Sequence, residues 1–147
     1  PTDSQRSIRA YEVKEYTKKS LLDWFKNTNS LFDKSHFFKI YIDFPREELI
    51  LRINSRTEEM IKMGAISEAE RFIKLNVKKD KSVNKAIGIN EIKDFLNKEK
   101  ELSEIKEKIS IKTRQYAKRQ STWARGNMGN WFKIKPKEMN KFLKKIK

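Results

Sequence analysis

Basic and hydrogen-bonding side chains recur at helical spacing in the second half of the chain. Arg114, Lys118, Ser121 and Arg125 follow one another in steps of four, three and four residues, which places them on one face of an α-helix. At a rise of about 1.5 Å per residue this strip is about 16 Å long. Such a strip of cations and donors can follow a phosphate backbone. The adjoining face carries Gln115, Arg119 and Thr122.

The charge around this strip has one sign. The 147 residues carry a net charge of +15, and residues 106–147 hold 14 Lys and Arg against two acids, a net of +12. No acidic residue stands between Glu107 and Glu138 in the sequence. This asymmetry predicts a polyanionic partner: a nucleic acid, an anionic membrane surface or an acidic protein. The alternative is a solvated, lysine-rich surface without a partner.

A second group of arginines lies on a helix predicted to begin after Pro45. Arg52 and Arg56 share a face of this helix, and the planar, permanently charged guanidinium suits phosphate oxygens. However, Glu48 precedes Arg52 by four residues, and Glu59 follows Arg56 by three. Both arginines are therefore equally compatible with ordinary helical ion pairs.

Metal sites and paired catalytic acids receive little support. The chain has no cysteine, which excludes disulfides and thiolate metal sites and agrees with a reducing, cytoplasmic setting. His36 is the only histidine, so no zinc site is expected, and we predict that it lies at a strand edge. Asp43, Glu47 and Glu48 cluster at a helix start, where acids complement the helix dipole. No apolar run of about 18 residues is present, so no membrane contact by a spanning helix is expected.

Capping signals and apolar periodicity predict the elements that position these residues. The first helix begins within Thr2 to Gln5, runs to about Thr17, and directs Ile8, Tyr11 and Val13 inward. A second capping pattern predicts a short helix soon afterwards.

The middle of the chain alternates between strand and helix patterns. Residues 37–44 alternate at period two and predict a strand with both faces partly covered. A helix follows Pro45 and ends at Gly64, and another comes directly after it. Residues 77–84 form a basic connector, and residues 86–96 predict a further helix.

The longest predicted helix spans residues 102–125. Its apolar positions follow alternating steps of three and four residues, which directs Tyr116 and Trp123 toward the core. We therefore do not expect either ring to stack on a base. The chain is predicted to end with a turn, a short strand at residues 131–134 and a basic helix that begins at Pro136.

The fold class that follows is α/β, predominantly helical, with few strands. Two strands some 90 residues apart do not make a stable sheet by themselves. We expect them to belong to a larger sheet whose other strands lie outside this chain. Pro1 stands where a translation start would carry Met, which predicts a fragment or a processed product.

Four blocks of sequence occur together in a specific order. The most distinctive is Thr-Arg-x-Tyr-Ala-Lys-Arg-Gln-x-Thr-Trp-x-Arg, from Thr113 to Arg125. A second block begins at Asp3 and reads Asp-Ser-Gln-Arg-x-x-Arg-Ala-x-Glu-Val. A third begins at Arg46 and reads Arg-Glu-x-Leu-x-x-Arg-Ile-x-x-Arg, and it is followed by Met60, Gly64 and Glu68. The fourth begins at Ala86 and reads Ala-Ile-Gly-x-x-Glu. In this order the blocks resemble the C-terminal part of the tRNA dimethylallyltransferase (tRNA isopentenyltransferase) family.

The resemblance implies the C-terminal part of a P-loop-type α/β transferase. Such enzymes move a dimethylallyl group from dimethylallyl diphosphate to N6 of the adenosine 3′-adjacent to the anticodon (position 37), and release pyrophosphate with the help of Mg²⁺. Residues 1–30 match the family's tRNA-contacting helical segment, and residues 36–147 match the strand–helix segment that completes the core. The implied partners are the tRNA anticodon stem-loop and the N-terminal P-loop half of the same enzyme, a cytoplasmic monomer.

The resemblance also assigns individual residues. Arg56 is expected to contact the pyrophosphate. The expected tRNA contacts are Gln5, Arg6, Arg9, Lys85, Gly88, Arg114, Lys118, Arg119, Gln120, Trp123 and Arg125. Ile89 stands where the family generally places a tyrosine, so no stacking or hydroxyl contact is expected there, although Gly88 allows close approach of a backbone.

The residues that grip substrate phosphates are not expected in this chain. Its glycines stand at positions 64, 88, 126 and 129, and none precedes a lysine, so no phosphate-binding loop is present. The family's general base and Mg²⁺ ligands are expected in the same N-terminal half. We therefore predict that this chain alone does not catalyse the transfer. The alternative function is a non-enzymatic, basic, helical RNA-binding module.

Overall fold

The computed structural model describes residues 3–146, which form two compact units on either side of the Phe38–Lys39 bond. The first unit contains helix α1 (Ser4–Thr17), helix α2 (Leu21–Asn27) and a 3₁₀ turn at Lys34–His36. Both helices predicted from capping signals are confirmed.

Short polar side chains set the helix starts in the first unit. Thr2, the first residue of the predicted cap, lies outside the described residues, and the Asp3 carboxylate accepts a hydrogen bond from the Arg6 backbone N–H at 3.2 Å. At the start of α2 the Asp23 N–H donates to Ser20 Oγ at 3.1 Å, and the Ser20 N–H donates to Asp23 Oδ2 at 3.2 Å. These reciprocal bonds satisfy backbone donors that have no partner within the helix.

The predicted inward face of α1 is wrong for this unit. Ile8 and Tyr11 are exposed and Val13 is only half-buried. The reason is that the unit contains no described layer of apolar side chains against which α1 could pack; neither of its α-helices has a fully buried residue. His36 also differs from the prediction, because it lies in the 3₁₀ turn and its Nδ1 accepts a hydrogen bond from the Asp33 N–H at 3.1 Å.

The second unit is an α/β arrangement dominated by helices. Its strands and helices, in chain order, are β1 (Ile40–Ile42), α3 (Arg46–Lys62), α4 (Ala65–Lys74), α5 (Ile89–Leu96), α6 (Leu102–Asn127), β2 (Phe132–Ile134) and α7 (Met139–Ile146). Two 3₁₀ turns, Ser82–Lys85 and Pro136–Glu138, precede α5 and α7 respectively.

Several element boundaries differ from the predictions, among them the start of β2 at Phe132 instead of residue 131 and the start of α7 at Met139 instead of Pro136. Strand β1 is confined to Ile40–Ile42, inside the predicted range 37–44, because these are the residues that lie in register with residues of β2. Helix α5 begins at Ile89 instead of residue 86, since Gly88 has φ of 110°, which a right-handed helix cannot contain. Helix α6 continues past Arg125 to Asn127.

The core of the second unit lies where α4, α5 and α6 meet. Ile105 is fully buried, and it clusters with Ile92 and Ala69. Partly buried residues complete the cluster: Ile61, Ala65, Ile66, Phe95, Leu96 and Leu102. Ile105 is one of the apolar positions of the helix predicted at residues 102–125, and its inward orientation is confirmed.

Polar contacts fasten α3 to α6 beside this core. The buried Ser110 hydroxyl donates to Thr57 Oγ1 at 3.1 Å, and the Thr57 hydroxyl donates to the Ile53 carbonyl at 3.0 Å. Lys106 Nζ lies 2.7 Å from Glu58 Oε2 at the surface of the same pair of helices. Helix α6 therefore provides a common support for α3 and α5.

The two strands form a parallel sheet. Ile40 lies opposite Phe132, Tyr41 opposite Lys133, and Ile42 opposite Ile134. The Asp43 N–H extends the ladder by donating to the Ile134 carbonyl at 3.0 Å. The predicted α/β class with few strands is confirmed, and the expectation of further strands outside this chain stays a prediction.

Candidate nucleic-acid interface

A cationic groove runs between α6, the first turns of α3 and the end of β1. Its volume is about 670 Å³. Basic residues contributed by α3, α6 and β2 line it: Arg46, Arg114, Lys118, Arg125 and Lys133. Asp43 is the single acidic residue in the lining.

The described residues do not neutralise the cations of this groove. None of the five forms an ion pair with any residue between Asp3 and Lys145 whose side chain is described. Apolar side chains, Leu49, Ile50, Ile53 and Ile111, lie beneath them. Cations beside a low-dielectric wall strengthen the local positive potential, so the groove favours an anion, and most of all a polyanion.

The predicted cationic strip of α6 faces this groove. Arg114, Lys118, Ser121 and Arg125 all line it, as does Gln115 from the adjoining face. Helical spacing thus brought these side chains together as expected, and no acid of α6 intervenes. Arg119 and Gln120 line a neighbouring cavity of about 750 Å³, which they share with Trp123.

The predicted inward orientation of Tyr116 and Trp123 is wrong. Their exposed fractions are 50% and 59%. The inward positions are taken instead by Ala117, which is partly buried, and by Ala124, which is buried. The Arg119 guanidinium lies 5.9 Å from the centroid of the Tyr116 ring. Both rings are accessible, so the argument against base stacking by these rings no longer holds.

The two arginines of α3 differ in their surroundings. Arg52 Nε lies 3.5 Å from Glu48 Oε1, which confirms the predicted ion pair, and its guanidinium lies 5.0 Å from the Phe44 ring centroid. Arg56 is exposed, and within the described part of the chain it forms no ion pair with Glu59 or any other acid. Arg56 precedes Thr57, the α6-bonded residue, and does not line the cationic groove.

The segment before α5 is held by a buried acid. Glu91 is 3% exposed, and its Oε2 accepts a hydrogen bond from the Gly88 N–H at 2.9 Å. Its Oε1 pairs with Lys112 Nζ of α6. Burial by itself raises the pKa of Glu91, but the Lys112 and Gly88 hydrogen bonds outweigh it and the pKa lies below its usual value. Lys85 is exposed at the end of the preceding turn.

The three candidate residues of the first unit lie on α1. Gln5, Arg6 and Arg9 are all exposed. Arg6 Nε lies 3.1 Å from Asp3, and Arg9 Nη1 lies 3.3 Å from Glu12. Such exposed pairs contribute little stability and can be exchanged for a phosphate.

Two residues of the groove, Arg46 and Lys133, were not predicted from the sequence. Arg46 and Lys133 line the groove, but one was assigned only to a helix start and the other only to a strand. Their positions beside strand ends were the available signal, because ligand sites of α/β proteins gather there. The ion pair of Lys112 was not predicted either, because nothing in the sequence marks Glu91, 21 residues away, as its partner.

The described residues contain no cluster of three or more His, Asp or Glu side chains that could hold a metal ion. Among the same residues no helix is long and apolar enough to cross a membrane.

Comparisons with known proteins identify the family of this chain. A family model described as IPP transferase matches residues 1–127. The tRNA dimethylallyltransferase of Pelagibacter ubique (strain HTCC1062) is 54% identical over 147 residues, which are 100% of this chain and 47% of that protein. The tRNA dimethylallyltransferase of Agrobacterium fabrum (strain C58) is 38% identical over 138 residues, 92% of this chain and 46% of that protein. The chain thus spans about half the length of these curated relatives.

Two solved structures share the fold. The tRNA isopentenylpyrophosphate transferase of Bacillus halodurans superposes with a TM-score of 0.61 at 32% identity, covering 78% of this chain and 36% of that one. The tRNA delta(2)-isopentenylpyrophosphate transferase of Staphylococcus epidermidis gives a TM-score of 0.65 at 28% identity, covering 97% and 48%. Since the family model covers most of the sequence and the relatives match along its length, the chain belongs to the IPP transferase family.

Proposed function

We propose that this chain is the tRNA-holding and pyrophosphate-contacting part of a tRNA dimethylallyltransferase. The reaction would transfer a dimethylallyl group from dimethylallyl diphosphate to N6 of the adenosine that follows the anticodon on its 3′ side. The names of the relatives support the reaction class. Because the chain spans about half of their length, we propose that the phosphate-binding loop and the general base come from the other half, in the cytoplasm where tRNA is found.

The cationic groove is the observation that carries the proposal. Phosphate contacts need clustered Lys and Arg with few competing acids. The groove is lined by five such cations and by a single acid, Asp43. The cavity next to the groove is lined by Arg119, Gln120 and Trp123. Helix α6 thus presents side chains suited to an RNA phosphate backbone beside an exposed aromatic ring. An anticodon loop offers both phosphates and unstacked bases, which suits this combination.

Arg56 is our candidate for the pyrophosphate contact. It is exposed on α3 and carries no ion pair within the described residues, whereas its neighbour Arg52 is occupied by Glu48. A free guanidinium can bind two oxygens of a leaving diphosphate and remains charged throughout. Gln5, Arg6 and Arg9 of α1, and Lys85 before α5, are proposed as further tRNA contacts, whereas Gly88 is buried and its N–H is bonded to Glu91.

The described residues do not fit the Mg²⁺ that the family resemblance implies. Asp43 is the single acid of the groove, and the described part of the chain offers no cluster of ligating side chains. We place the ion's ligands outside these residues, and no step assigned to this chain uses them.

The salt dependence of tRNA binding tests the proposed interface. Fluorescence anisotropy of a labelled anticodon stem-loop should show steep weakening of binding between 50 and 200 mM salt, a range over which proteins with several phosphate contacts lose orders of magnitude in affinity. Replacing Arg119 and Arg125 by alanine should lower the slope of log K against log salt by about 1.4–1.8, since each lost contact removes about 0.7–0.9.

A matched control has the same loss of charge elsewhere. Lys62 and Arg71 are exposed residues of α3 and α4 that line neither cavity, so their double alanine variant should retain the wild-type slope. An Arg119/Arg125 variant with an unchanged slope, or a control variant with an equally reduced one, would refute the assignment of the strip to phosphates.

The alternative is a non-enzymatic RNA-binding module, and its basis is the same groove. The two functions differ in their dependence on the other half of the enzyme. As a part-enzyme, the chain with tRNA and labelled dimethylallyl diphosphate should give no product alone, and should be stabilised by the N-terminal half of a relative. Turnover by the chain alone, or indifference of its melting temperature to that half, would contradict the part-enzyme proposal.

A further inference from the structure

Glu91 is a buried acid that lines neither cavity. It is the third residue of α5, and its carboxylate accepts the Gly88 N–H at 2.9 Å and pairs with Lys112. The Gly88 donor belongs to the loop before α5, and the Lys112 donor belongs to α6. One side chain therefore ties the loop to the helix that carries the cationic strip.

The apolar core does not need this acid. Ile92, the next residue of α5, already packs in the cluster with Ile105 of α6. An uncharged side chain at position 91 would leave these contacts in place, and a buried ion pair is often no more stabilising than apolar residues of similar size. The contribution of the pair is to orientation, because two charge-assisted hydrogen bonds fix the carboxylate and the Gly88 N–H relative to Lys112.

The orientation of the backbone at Gly88 depends most on this pair. Its φ of 110° is open to glycine and strained for other residues, so the loop has a specific and weakly favoured conformation. The Glu91 carboxylate holds the N–H of that glycine, and Lys85 lies three residues earlier. Lys112 in turn stands two residues before Arg114, the first cation of the strip.

We infer that Glu91 is a positioning residue for tRNA binding, which holds the segment from Lys85 to Gly88 in a fixed orientation to the cationic strip of α6. The inference rests on the proposed function, since it assumes that both segments contact the same RNA. Glu91 itself touches no substrate. By ordering the loop in the free protein, Glu91 lowers the conformational entropy that is lost when RNA binds.

The test compares two carboxylates in the same helical position. Glu104 is the third residue of α6 and accepts the Glu101 N–H at 2.9 Å, as Glu91 accepts that of Gly88, but it is exposed and forms no ion pair with a described residue. In the 147-residue chain, Glu91→Gln should weaken binding of an anticodon stem-loop about fivefold, the scale of one weakened charge-assisted hydrogen bond. Glu104→Gln should change it less than about twofold.

An NMR signal separates positioning from general stability. The chain has only four glycines, so selective ¹⁵N-glycine labelling gives a spectrum in which the Gly88 amide can be assigned through Gly88→Ala. Glu91→Gln should move the Gly88 resonance upfield, because its carboxylate acceptor is lost, and leave the glycines at 64, 126 and 129 in place. In a Lys85→Ala background, Glu91→Gln should cause no further loss of affinity.

Each outcome bears on a different claim. Unchanged affinity in Glu91→Gln, or an equal loss in the Lys85→Ala background, overturns the inference. If the wild-type chain does not bind tRNA, the proposed function fails, and an unmoved Gly88 resonance in Glu91→Gln then also refutes the positioning of the loop. Should Glu91→Gln fail to fold, Lys112→Arg, which retains the pair, must keep wild-type affinity while Lys112→Gln loses it; equal affinities refute the inference.

Discussion

Replacing Lys112 by methionine should expose the cost of the buried Glu91 carboxylate. Without the ammonium group, a side chain that is 3% exposed loses its cationic partner and keeps backbone N–H groups, among them that of Gly88. Breaking a buried pair by removing one member costs about 3–5 kcal/mol. Since the Gly88 hydrogen bond remains and water can reach the position of the exposed Lys112 side chain, we expect about 3 kcal/mol at pH 7.

The same substitution should reverse the pH dependence contributed by Glu91. In the wild type the pKa of Glu91 lies below its usual value of 4.5, so its contribution to stability is present above that pH and is lost as the pH falls further. In Lys112→Met burial dominates and the pKa rises above 4.5, so acidification protonates the carboxyl group and relieves the penalty. The difference in unfolding free energy between variant and wild type should therefore shrink from pH 7 to pH 4.

Urea denaturation followed by circular dichroism at several pH values measures both effects. Lys106→Met is the matched control, because Lys106 is also on α6 and lies 2.7 Å from Glu58, whose side chain is 50% exposed. Loss of such an exposed pair should cost less than about 1 kcal/mol. These expectations are wrong if Lys112→Met lowers the free energy of unfolding no more than Lys106→Met does at pH 7. They are also wrong if the loss of unfolding free energy in Lys112→Met grows as the pH falls.

Three further substitutions test the packing around the site. Ile105→Ala should lower the unfolding free energy by about 2–5 kcal/mol because the side chain is fully buried; in urea titrations the exposed Leu75→Ala should change it by less than about 0.5 kcal/mol. Gly88→Ala should cost about 1–2 kcal/mol at a φ of 110°, whereas Gly126→Ala inside α6 should stabilise by up to about 1 kcal/mol, and equal melting temperatures would contradict this. Ser110→Ala should cost about 1 kcal/mol in thermal unfolding, since its bond to α3 is lost; no loss would show that this bond is neutral.

Local sequence signals predicted most helices and the cationic strip, because caps and helical spacing act within a few residues. Ser20 and Asp23 identified the start of α2, and four-residue steps placed Arg114 and Lys118 on one face. The phase of α6 was misjudged where periodicity favoured the large rings of Tyr116 and Trp123. The adjacent Ala117 and Ala124 lie inward instead, and spacing alone does not decide which of two neighbouring apolar residues faces the core.

The groove itself was beyond local reasoning. It exists because residues distant in sequence, such as Arg46 and Lys133, are brought to the same place by the pairing of β1 with β2. The Glu91–Lys112 pair has the same origin, since it joins two helices. Sequence spacing predicts which side chains share a face of a helix, and only the tertiary arrangement decides what that face meets.

The short parallel sheet has a consequence for the order in which the second unit assembles. Ile40 and Phe132 pair across a long intervening segment, while the contacts among α3, α4, α5 and α6 close much shorter loops. Loop-closure entropy and contact order favour the helices forming first, so the three-residue strands join last and separate first. Amide protons of the sheet, such as that of Phe132 bonded to the Lys39 carbonyl at 2.9 Å, should then exchange with deuterium while those around Ile105 stay protected. Because Tyr41 and Phe44 line the groove, separation of the strands would change the shape of the groove without melting the helical core.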